Sequence, residues 1–359
     1  MNSYSRRQAV VVAPEARRSD ARRSGAPWPA ICTRCGRWHL LLLVLVVAGL
    51  APAQASLLEA EGAREFVEEV AERHNLNAAE LRGMFRRLER QDAVLEAVQR
   101  PAEALPWYRY RPIFVTDTRA EAGAEFRAEH LDTLQRAEAE YGVPVDVIVA
   151  IIGVETLYGR RTGTHPVMAT LATLAFEYPP RASFFRSELE HFLLLTREEQ
   201  IDPTTVKGSY AGAMGMPQFI SSSYRHYAVD FSGDGRRDLL NNTEDAIGSV
   251  AAYLADHRWE AGGRLVAPAT AQGDAYRDLL GDGLRANITG ADLRAAGVEA
   301  EPMPAPDQAV SLMEFELEEG HELWVGWPNF HVITRYNHSP LYALAVVQLA
   351  ERIREWPDN

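Results

Sequence analysis

A single glutamate interrupts an apolar helical stretch, VAIIGVETLYG, in the middle of the chain. The side chains three and four positions from Glu155 belong to Ile151, Ile152, Tyr158 and Gly159. None of them can pair with a carboxylate across the helix surface. Apolar surroundings destabilise the charged form of a carboxyl group and raise its pKa, as a general acid near neutral pH requires. The alternative is a glutamate at the helix end that reaches solvent past Gly159.

A second segment, GSYAGAMGMPQF at residues 208–219, combines small residues with polar side chains. Four of the five residues from 211 to 215 are glycine or alanine, which lets a ligand approach the backbone closely. Ser209 and Gln218 add hydrogen-bonding groups at its two ends. The segment is typical of a binding loop, although a tight packing turn would have the same composition.

A third segment, VITRYNHS, lies between a strand-like stretch and the last helix. Its polar members are Arg335, Tyr336, Asn337 and Ser339. Polar side chains at such a junction often line a cleft. The alternative is a solvated loop in which Ser339 only caps the following helix.

Together these segments resemble the B-type lytic murein transglycosylases. The motifs V-E-T-x-Y-G, S-Y-A-G-A-M-G-x-x-Q-F and V-I-T-R-Y-N occur in the order and spacing of that family, and the resemblance covers about residues 60–350. The intervening LATLAFEYPPRASFFRSELEHFLLL is also characteristic. The resemblance implies a mainly α fold of the α+β type. It would have a lysozyme-like helical catalytic core, a helical N-terminal domain and a small late β-sheet domain.

The resemblance also implies roles for individual residues. Glu155 matches the single catalytic glutamate of the family. The positions that match substrate-binding residues are Ser209, Gln218, Tyr336, Asn337, Tyr110 and Arg181. Pro180 replaces the first of two arginines that contact peptide, and Met216-Pro217 replaces a tyrosine-glycine pair. Because Tyr158 lies one turn beyond Glu155, we expect it to form part of the cleft wall.

The number of carboxyl groups in these motifs favours one type of mechanism. Glycosidases normally use two carboxyl groups, and the three motifs contain one. Asp146 lies more than two turns before Glu155 and is interpreted as a helix N-cap. We therefore expect intramolecular transfer within the glycan, with a 1,6-anhydromuramoyl product and no catalytic cofactor. A lysozyme-type hydrolase and a non-catalytic peptidoglycan-binding protein are the alternatives.

The acidic stretch DFSGDGRRDLLNNTED begins like an EF-hand calcium loop. The twelfth position, where the standard loop has glutamate, is Asn241. The resemblance implies a longer loop closed by Glu244 or Asp245, and we prefer Asp245 because it directly precedes A-I-G-S-V. A plain Asp/Gly-rich turn is the alternative to a structural calcium site. The predicted ligands are Asp230, Ser232, Asp234, the backbone carbonyl of Arg236, and Asp245.

Residues 1–55 are typical of an export leader. They contain eight arginines and two acids, and residues 40–50 form an apolar run. That run is too short to span a bilayer but suits the core of a secretory signal. Ala-Gln-Ala at 53–55 fits a cleavage site, which predicts a periplasmic chain that begins at Ser56. A membrane anchor that is not cleaved, or a later translation start, are the alternatives.

The charge and cysteine content restrict the partners. The net charge of the whole chain is −13, and loss of the leader would make it −19. Such a surface repels nucleic acid phosphates. Both cysteines, Cys32 and Cys35, lie in the leader, so the exported chain has no disulfide. We expect a monomer that binds peptidoglycan glycan strands, with other cell-wall enzymes as candidate protein partners.

Apolar periodicity and breaker residues predict the elements that position these motifs. Residues 61–98 are helical, WYRYRPIF is irregular, and a capping box at Thr118-x-x-Glu121 opens a helix that ends at Gly142. Pro144 then starts the helix that carries Glu155. Two strands flank Glu318-Glu319-Gly320, and an amphipathic helix covers about 341–356. The predicted domains are a leader (1–55), a helical N-terminal domain (56–141), the catalytic core with the EF-hand-like loop (142–262), a β-containing domain (263–335), and an active-site strand end with the C-terminal helix that packs back on the helical domains (336–359).

Overall fold

The protein is described by a computed structural model that covers residues 56–99 and 104–357. The predicted leader and both cysteines lie outside the described residues. The fold is mainly helical with a small antiparallel sheet late in the chain, so the predicted fold class is confirmed. Within the described ranges, no helix is both long and apolar enough to cross a membrane.

Short amphipathic helices occupy the first part of the described chain. Their buried positions recur at helical spacing, as Phe66, Val67 and Val70 do in the first of them. Asn77 caps the second by accepting bonds from the backbone N–H groups of Ala79 and Glu80. The helices are α1 (Ala63–His74), α2 (Ala78–Arg87), α3 (Asp92–Ala97), α4 (Trp107–Phe114), α5 (Asp117–Glu129) and α6 (Leu131–Tyr141).

Two expectations for this region are wrong. WYRYRPIF forms helix α4 rather than an irregular segment, because Trp107, Tyr110 and Phe114 bury one helical face despite the internal proline. The predicted capping box is also displaced, since Thr116 is the N-cap of α5 and accepts a bond from the Arg119 backbone N–H. The chain then breaks at His130 between α5 and α6.

The next helices form the centre of the molecule. The predicted helix stop at Gly142 is confirmed, because Gly142 closes α6 in the left-handed conformation. The predicted helix start at Pro144 is also confirmed, because Pro144 is the N-cap residue of the next helix. The helix that follows, α7 (Val145–Thr156), is buried along most of its length. It packs against α5, α6, the helix at residues 243–256 and the last helix at residues 340–354. The elements are α7 (Val145–Thr156), β1 (His165–Pro166), α8 (Val167–Glu177), α9 (Ala182–Glu198), β2 (Lys207–Gly208), α10 (Ser221–Tyr227) and α11 (Thr243–Asp256).

A five-stranded antiparallel sheet follows, in the order β4-β6-β7-β3-β5. Its central hairpin, β6 and β7, flanks the predicted turn at Gly320. The Trp107 indole N–H donates a 2.7 Å bond to Glu322 and so joins α4 to the sheet. The elements are β3 (Val266–Ala271), β4 (Ile288–Thr289), α12 (Gly290–Ala295), β5 (Val298–Ala300), β6 (Ala309–Glu316), β7 (His321–Gly326), α13 (Pro328–Tyr336) and α14 (Pro340–Arg354).

The segment before the last helix differs from the prediction. It was expected to end a strand, but residues 328–336 form helix α13. Pro328 occupies the first helical position, where its missing N–H costs no hydrogen bond. Phe330 and Ile333 are fully buried at helical spacing, so tertiary packing overrides the β-branched composition of this stretch.

One hydrophobic core runs through the helices, from Leu57 to Ile353, and a smaller core lies under the sheet. The predicted domain boundary at residue 142 falls inside the larger core, because α6 packs on both α7 and α11. The domain limits therefore stay a prediction.

Asp146 has a different role from the predicted helix cap. Its side chain makes no capping bond at the start of α7. It instead forms ion pairs with Arg127 at 3.3 Å and Arg354 at 2.9 Å. Asp146 therefore ties α7 to its neighbours α5 and α14.

Gly153 gives a test of packing around α7. A Cβ atom at this position would lie 2.5 Å from the Tyr158 hydroxyl oxygen. At Gly83 in α2, the nearest side-chain atom to an added Cβ would be 3.8 Å away, on Arg87. We expect Gly153→Ala to destabilise the protein by about 1–3 kcal/mol through overpacking. Gly83→Ala should stabilise it by about 0.5–1 kcal/mol. Denaturant unfolding measures both, and a Gly153→Ala protein as stable as wild type would contradict the packing.

Candidate active site

Glu155 lies in the last turn of α7 and only 6% of its surface is exposed. The hydroxyl of Tyr342 in α14 donates a 2.7 Å hydrogen bond to Glu155 Oε1. Burial disfavours the carboxylate, whereas this bond favours it, so the two effects act against each other. The glutamate that looked solitary in its own helix therefore has a partner 187 residues away in the sequence.

Tyr342 stands beside a second, partly buried tyrosine. The ring of Tyr336 is parallel to it within 6°, at a centroid distance of 6.4 Å. Burial raises the pKa of both hydroxyls well above the ordinary tyrosine value, and the neighbouring charge of Glu155 raises it further. Both phenols thus stay protonated and remain hydrogen-bond donors.

Two more predicted residues belong to this cluster. Tyr110 is fully buried, stacks on Trp107, and contributes to the raised pKa of Tyr342. Asn337 is 2% exposed and ends α13 directly after Tyr336. The structure therefore brings Tyr110, Tyr336 and Asn337 to the same region as Glu155.

The loop at 208–219 is tied to α7 and α13 by its backbone. The Met216 carbonyl accepts a 2.9 Å bond from the Thr156 hydroxyl, and the Pro217 carbonyl accepts a 2.6 Å bond from the Tyr336 hydroxyl. Because both acceptors are main-chain atoms, the Met-Pro pair can provide them as well as other residues would.

The polar side chains of this loop stabilise its conformation through hydrogen bonds to main-chain groups. The buried Ser209 hydroxyl oxygen accepts bonds from the backbone N–H groups of Ala211 and Ala213. Gln218 has a left-handed backbone, and its amide donates to the carbonyls of Thr162 and Gly215. Its carbonyl Oε1 is buried without a hydrogen-bond partner in the described part of the chain, which leaves an acceptor for a ligand.

The structure gives Tyr158 a packing role. Its hydroxyl donates a 2.8 Å bond to the Arg119 carbonyl in α5, and its ring lies 5.5 Å from that of Phe126. The buried Arg119 guanidinium in turn donates to the Gly153 carbonyl near the end of α7. Desolvation lowers the pKa of Arg119, but a cation at a helix C-terminus is electrostatically favourable.

These contacts support a strained turn. Leu157, Tyr158 and Gly159 are consecutive residues with left-handed backbones, a conformation that costs roughly 1–2 kcal/mol for each non-glycine residue. The Thr156 hydroxyl adds support by accepting a bond from the Gly159 N–H. The chain therefore turns sharply out of α7 immediately after Glu155.

Arg181 lies in the short connection between α8 and α9. It precedes α9, and its guanidinium stacks over the rings of Phe184 and Phe185 at 4.3 and 5.3 Å. Its charge also lowers the pKa of the buried Glu188, although burial, the larger effect, leaves that pKa raised.

The acidic loop brings three carboxylates together. Oxygens of Asp230, Asp234 and Asp245 lie within 4.8 Å of one another. Asp230 accepts bonds from the backbone N–H groups of Gly233, Asp234 and Gly235, and these outweigh desolvation to lower its pKa. The all-oxygen donor set suits a hard divalent cation such as calcium.

The two acids that could close this loop have different contacts. Asp245 is fully buried and accepts bonds from the backbone N–H groups of Phe231, Ser232 and Asp238. Glu244 points to an ion pair with Arg136. The contacts favour Asp245 as the closing residue.

Sequence reasoning missed Tyr342 and Arg119. Tyr342 could have been noticed as a phenol in an otherwise aliphatic stretch, PLYALAVV, three residues after the Ser339 cap. Nothing in the local pattern distinguishes Arg119 from a surface arginine. Both act across helix interfaces, which a sequence read segment by segment does not show.

The chain is similar to known cell-wall enzymes. Residues 59–351 match the family model of the transglycosylase SLT domain. The chain is 40% identical over 301 residues to membrane-bound lytic murein transglycosylase B of Escherichia coli (strain K12), which covers 81% of this chain and 82% of that protein.

Solved structures show the same similarity. Soluble lytic transglycosylase SltB1 from Pseudomonas aeruginosa has 48% identity and a TM-score of 0.77, over 81% of this chain and 97% of that one. Escherichia coli Slt35 in complex with calcium has 40% identity and a TM-score of 0.76, over 82% and 93%. SltB3 from Pseudomonas aeruginosa in complex with NAG-anhNAM-pentapeptide has 30% identity and a TM-score of 0.71, over 82% and 81%. This chain therefore belongs to the transglycosylase SLT family, the lytic murein transglycosylases.

Proposed function

We propose that the chain cleaves the β-1,4 bond between N-acetylmuramic acid and N-acetylglucosamine in peptidoglycan and forms a 1,6-anhydromuramoyl end. The buried Glu155, held by Tyr342 beside Tyr336 and Asn337, is the observation that carries this proposal. Family membership supplies the reaction class. The SltB3 complex with an anhydromuramoyl fragment supports transfer over hydrolysis.

In this mechanism Glu155 acts twice. Its carboxyl group first protonates the glycosidic oxygen, and the muramoyl N-acetyl group stabilises the positive charge that develops at C1. The resulting carboxylate then accepts the proton of the C6 hydroxyl as that oxygen attacks C1. The Tyr342 hydroxyl stabilises the carboxylate between these steps, because hydrogen bonds to charged groups contribute about 1.5–3 kcal/mol. Water is not consumed.

The contacts of the other buried acids support a one-carboxylate site. Among the residues that the structure describes, the remaining buried acids are Glu188 and Asp245. Glu188 accepts bonds from the Ser222 backbone N–H and hydroxyl at the start of α10. Asp245 belongs to the acidic loop. Both carboxylates are therefore engaged by donors outside the cluster around Glu155, which supports a mechanism with one catalytic carboxylate rather than the two of a standard hydrolase.

Substrate contacts are proposed for the remaining site residues. Gln218 offers its free buried carbonyl to a sugar hydroxyl or amide, and Asn337 offers an amide beside Glu155. Ser209 shapes the loop through its hydroxyl oxygen and can donate its proton to the N-acetyl group. Arg181 is proposed to contact a peptide carboxylate. The peptidoglycan substrate and the apolar stretch at 40–50 favour the periplasm.

We also propose that the acidic loop binds a structural calcium ion, as the Slt35 complex with calcium suggests for a relative. The side chains of Asp230, Ser232 and Asp234, the carbonyl of Arg236, and Asp245 would hold it. When bound, the ion would neutralise the clustered carboxylates and fix the loop. Its proposed ligands lie on a different segment from Glu155, so its role is stability.

Glu155→Gln removes the proposed acid without changing size. Turnover should fall by about 10³-fold, within the range that general acid–base catalysis supplies. Release of soluble products from sacculi, analysed by mass spectrometry, measures the rate and identifies the ends. Glu188→Gln, a change at another buried glutamate, should keep activity within about tenfold of wild type. Near-normal turnover of Glu155→Gln, or wild-type products with only hydrated ends, would refute the mechanism.

Tyr342→Phe removes the donor to Glu155. Because the lost bond favoured the carboxylate, Glu155 should stay protonated to higher pH. The descending limb of the pH–rate profile should therefore shift to higher pH. The maximal rate should fall about tenfold, the equivalent of about 1.4 kcal/mol. Tyr253→Phe is the control, since its hydroxyl donates to the Arg335 carbonyl instead. A profile of Tyr342→Phe that matches wild type would contradict the assignment.

Calcium binding should appear as thermal stabilisation. A ligand present at 100 times its Kd adds about 2.7 kcal/mol, which corresponds to roughly 3–5 °C in Tm for a chain of this size. A chelator should lower Tm by that amount and added calcium should restore it. Asp245→Asn and Asp234→Asn should lose the response, while Glu244→Gln keeps it. An unchanged Tm with chelator would exclude the site.

A further inference from the structure

A polar cavity of about 400 Å³ lies behind the 208–219 loop, between the end of α9 and the acidic loop. Thr162 and Gly215, which line this cavity, are also the residues whose carbonyls accept the bonds from the Gln218 amide. Because Gln218 is one of the proposed substrate-binding residues, the cavity lies close to the proposed substrate site.

The acidic side chains that line this cavity have hydrogen-bond partners, whereas two of its cationic side chains form no ion pair with the described residues. Glu199 is engaged by the Arg237 guanidinium, and the Asp238 carboxylate accepts bonds from the backbone of Leu240 and Asn241. Lys207 and Arg236 are exposed and form no ion pair with any residue in the described ranges. Two cations therefore face the cavity while its acids are satisfied.

This imbalance stands out against the charge of the molecule. The chain has a net charge of −13, and Lys207 is its single lysine. An acidic enzyme that binds an anionic polymer needs local cationic sites to offset the long-range repulsion. In peptidoglycan the anionic groups are the carboxylates of the muramoyl peptides.

We infer that this cavity is a subsite for the peptide stem of a muramoyl residue, with Lys207 and Arg236 binding its carboxylates. The inference rests on the proposed function, because it places the stem of the same strand that Glu155 cleaves. The flexible Lys207 ammonium suits a single carboxylate oxygen, and the Arg236 guanidinium suits a bidentate contact.

The subsite is distinct from the contact proposed for Arg181. Arg181 precedes the first residue of α9 and Glu199 follows its last. A helix of 17 residues separates its two ends by roughly 25 Å. Because Glu199 lines the cavity, the cavity lies at the opposite end of α9 from Arg181, and the two positions would bind the stems of different muramoyl residues along a strand.

The test compares glycan strands that carry uncross-linked peptide stems with strands from which an amidase has removed them. The assay contains saturating calcium, and Arg236→Met keeps the main-chain carbonyl that is proposed to bind the ion. In a Lys207→Met/Arg236→Met variant, KM for peptide-bearing strands should rise about tenfold, while kcat stays within about twofold. KM for stripped strands should change less than about twofold. Arg264→Met/Arg285→Met removes the same charge from exposed positions outside the cavity and should affect neither substrate.

Each outcome either supports the peptide subsite or overturns it. Stripped strands keep the lactyl carboxylate, so an equal rise in KM on both substrates would place the cations on the glycan and overturn the inference. An unchanged KM on peptide-bearing strands would also overturn it. The single variants and Arg236→Lys, which restores a charge, show whether a loss reflects misfolding. Wild-type protein that releases no anhydromuramoyl product would instead refute the proposed function.

Discussion

The structure depends on a carboxyl group placed where a carboxylate is costly. Taking an ionised carboxylate into an apolar interior without partners costs many kcal/mol, yet Glu155 is buried in the most apolar helix of the core. The Tyr342 hydroxyl makes this arrangement tolerable by supplying one strong hydrogen bond. The other elements can be understood as the supports that keep these two groups in register, with α14 against α7 and α13 placing Tyr336 beside them.

The supports are largely main-chain contacts. The loop at 208–219 holds Thr156 and Tyr336 through carbonyl oxygens, and Arg119 holds the end of α7 through the Gly153 carbonyl. Main-chain acceptors do not depend on the identity of the side chain they belong to. The geometry around Glu155 can therefore persist when the side chains of these loop residues are changed.

The local motifs could be predicted from sequence because each is a short-range pattern. Glu155 in an apolar helix, the acidic loop and the hairpin around Gly320 all depend on neighbours within a few residues. Helices α4 and α13 could not, because burial of Tyr110 or Phe330 by distant elements overrides their proline or β-branched composition. The same limit explains why Tyr342 was missed and why the packing contacts of Tyr158 were not foreseen. Each contact crosses between helices.

The separation between Glu155 and Tyr342 also affects the order of folding. The bond joins positions 187 residues apart, and closing so long a loop carries an entropic cost that local helices do not repay. Helix α7 can form early, but its glutamate acquires its partner after α14 has been synthesised and docked. A nascent or partly folded chain would therefore lack the hydrogen bond that stabilises the Glu155 carboxylate. For an enzyme that cuts the cell wall, full activity therefore depends on completion of the fold.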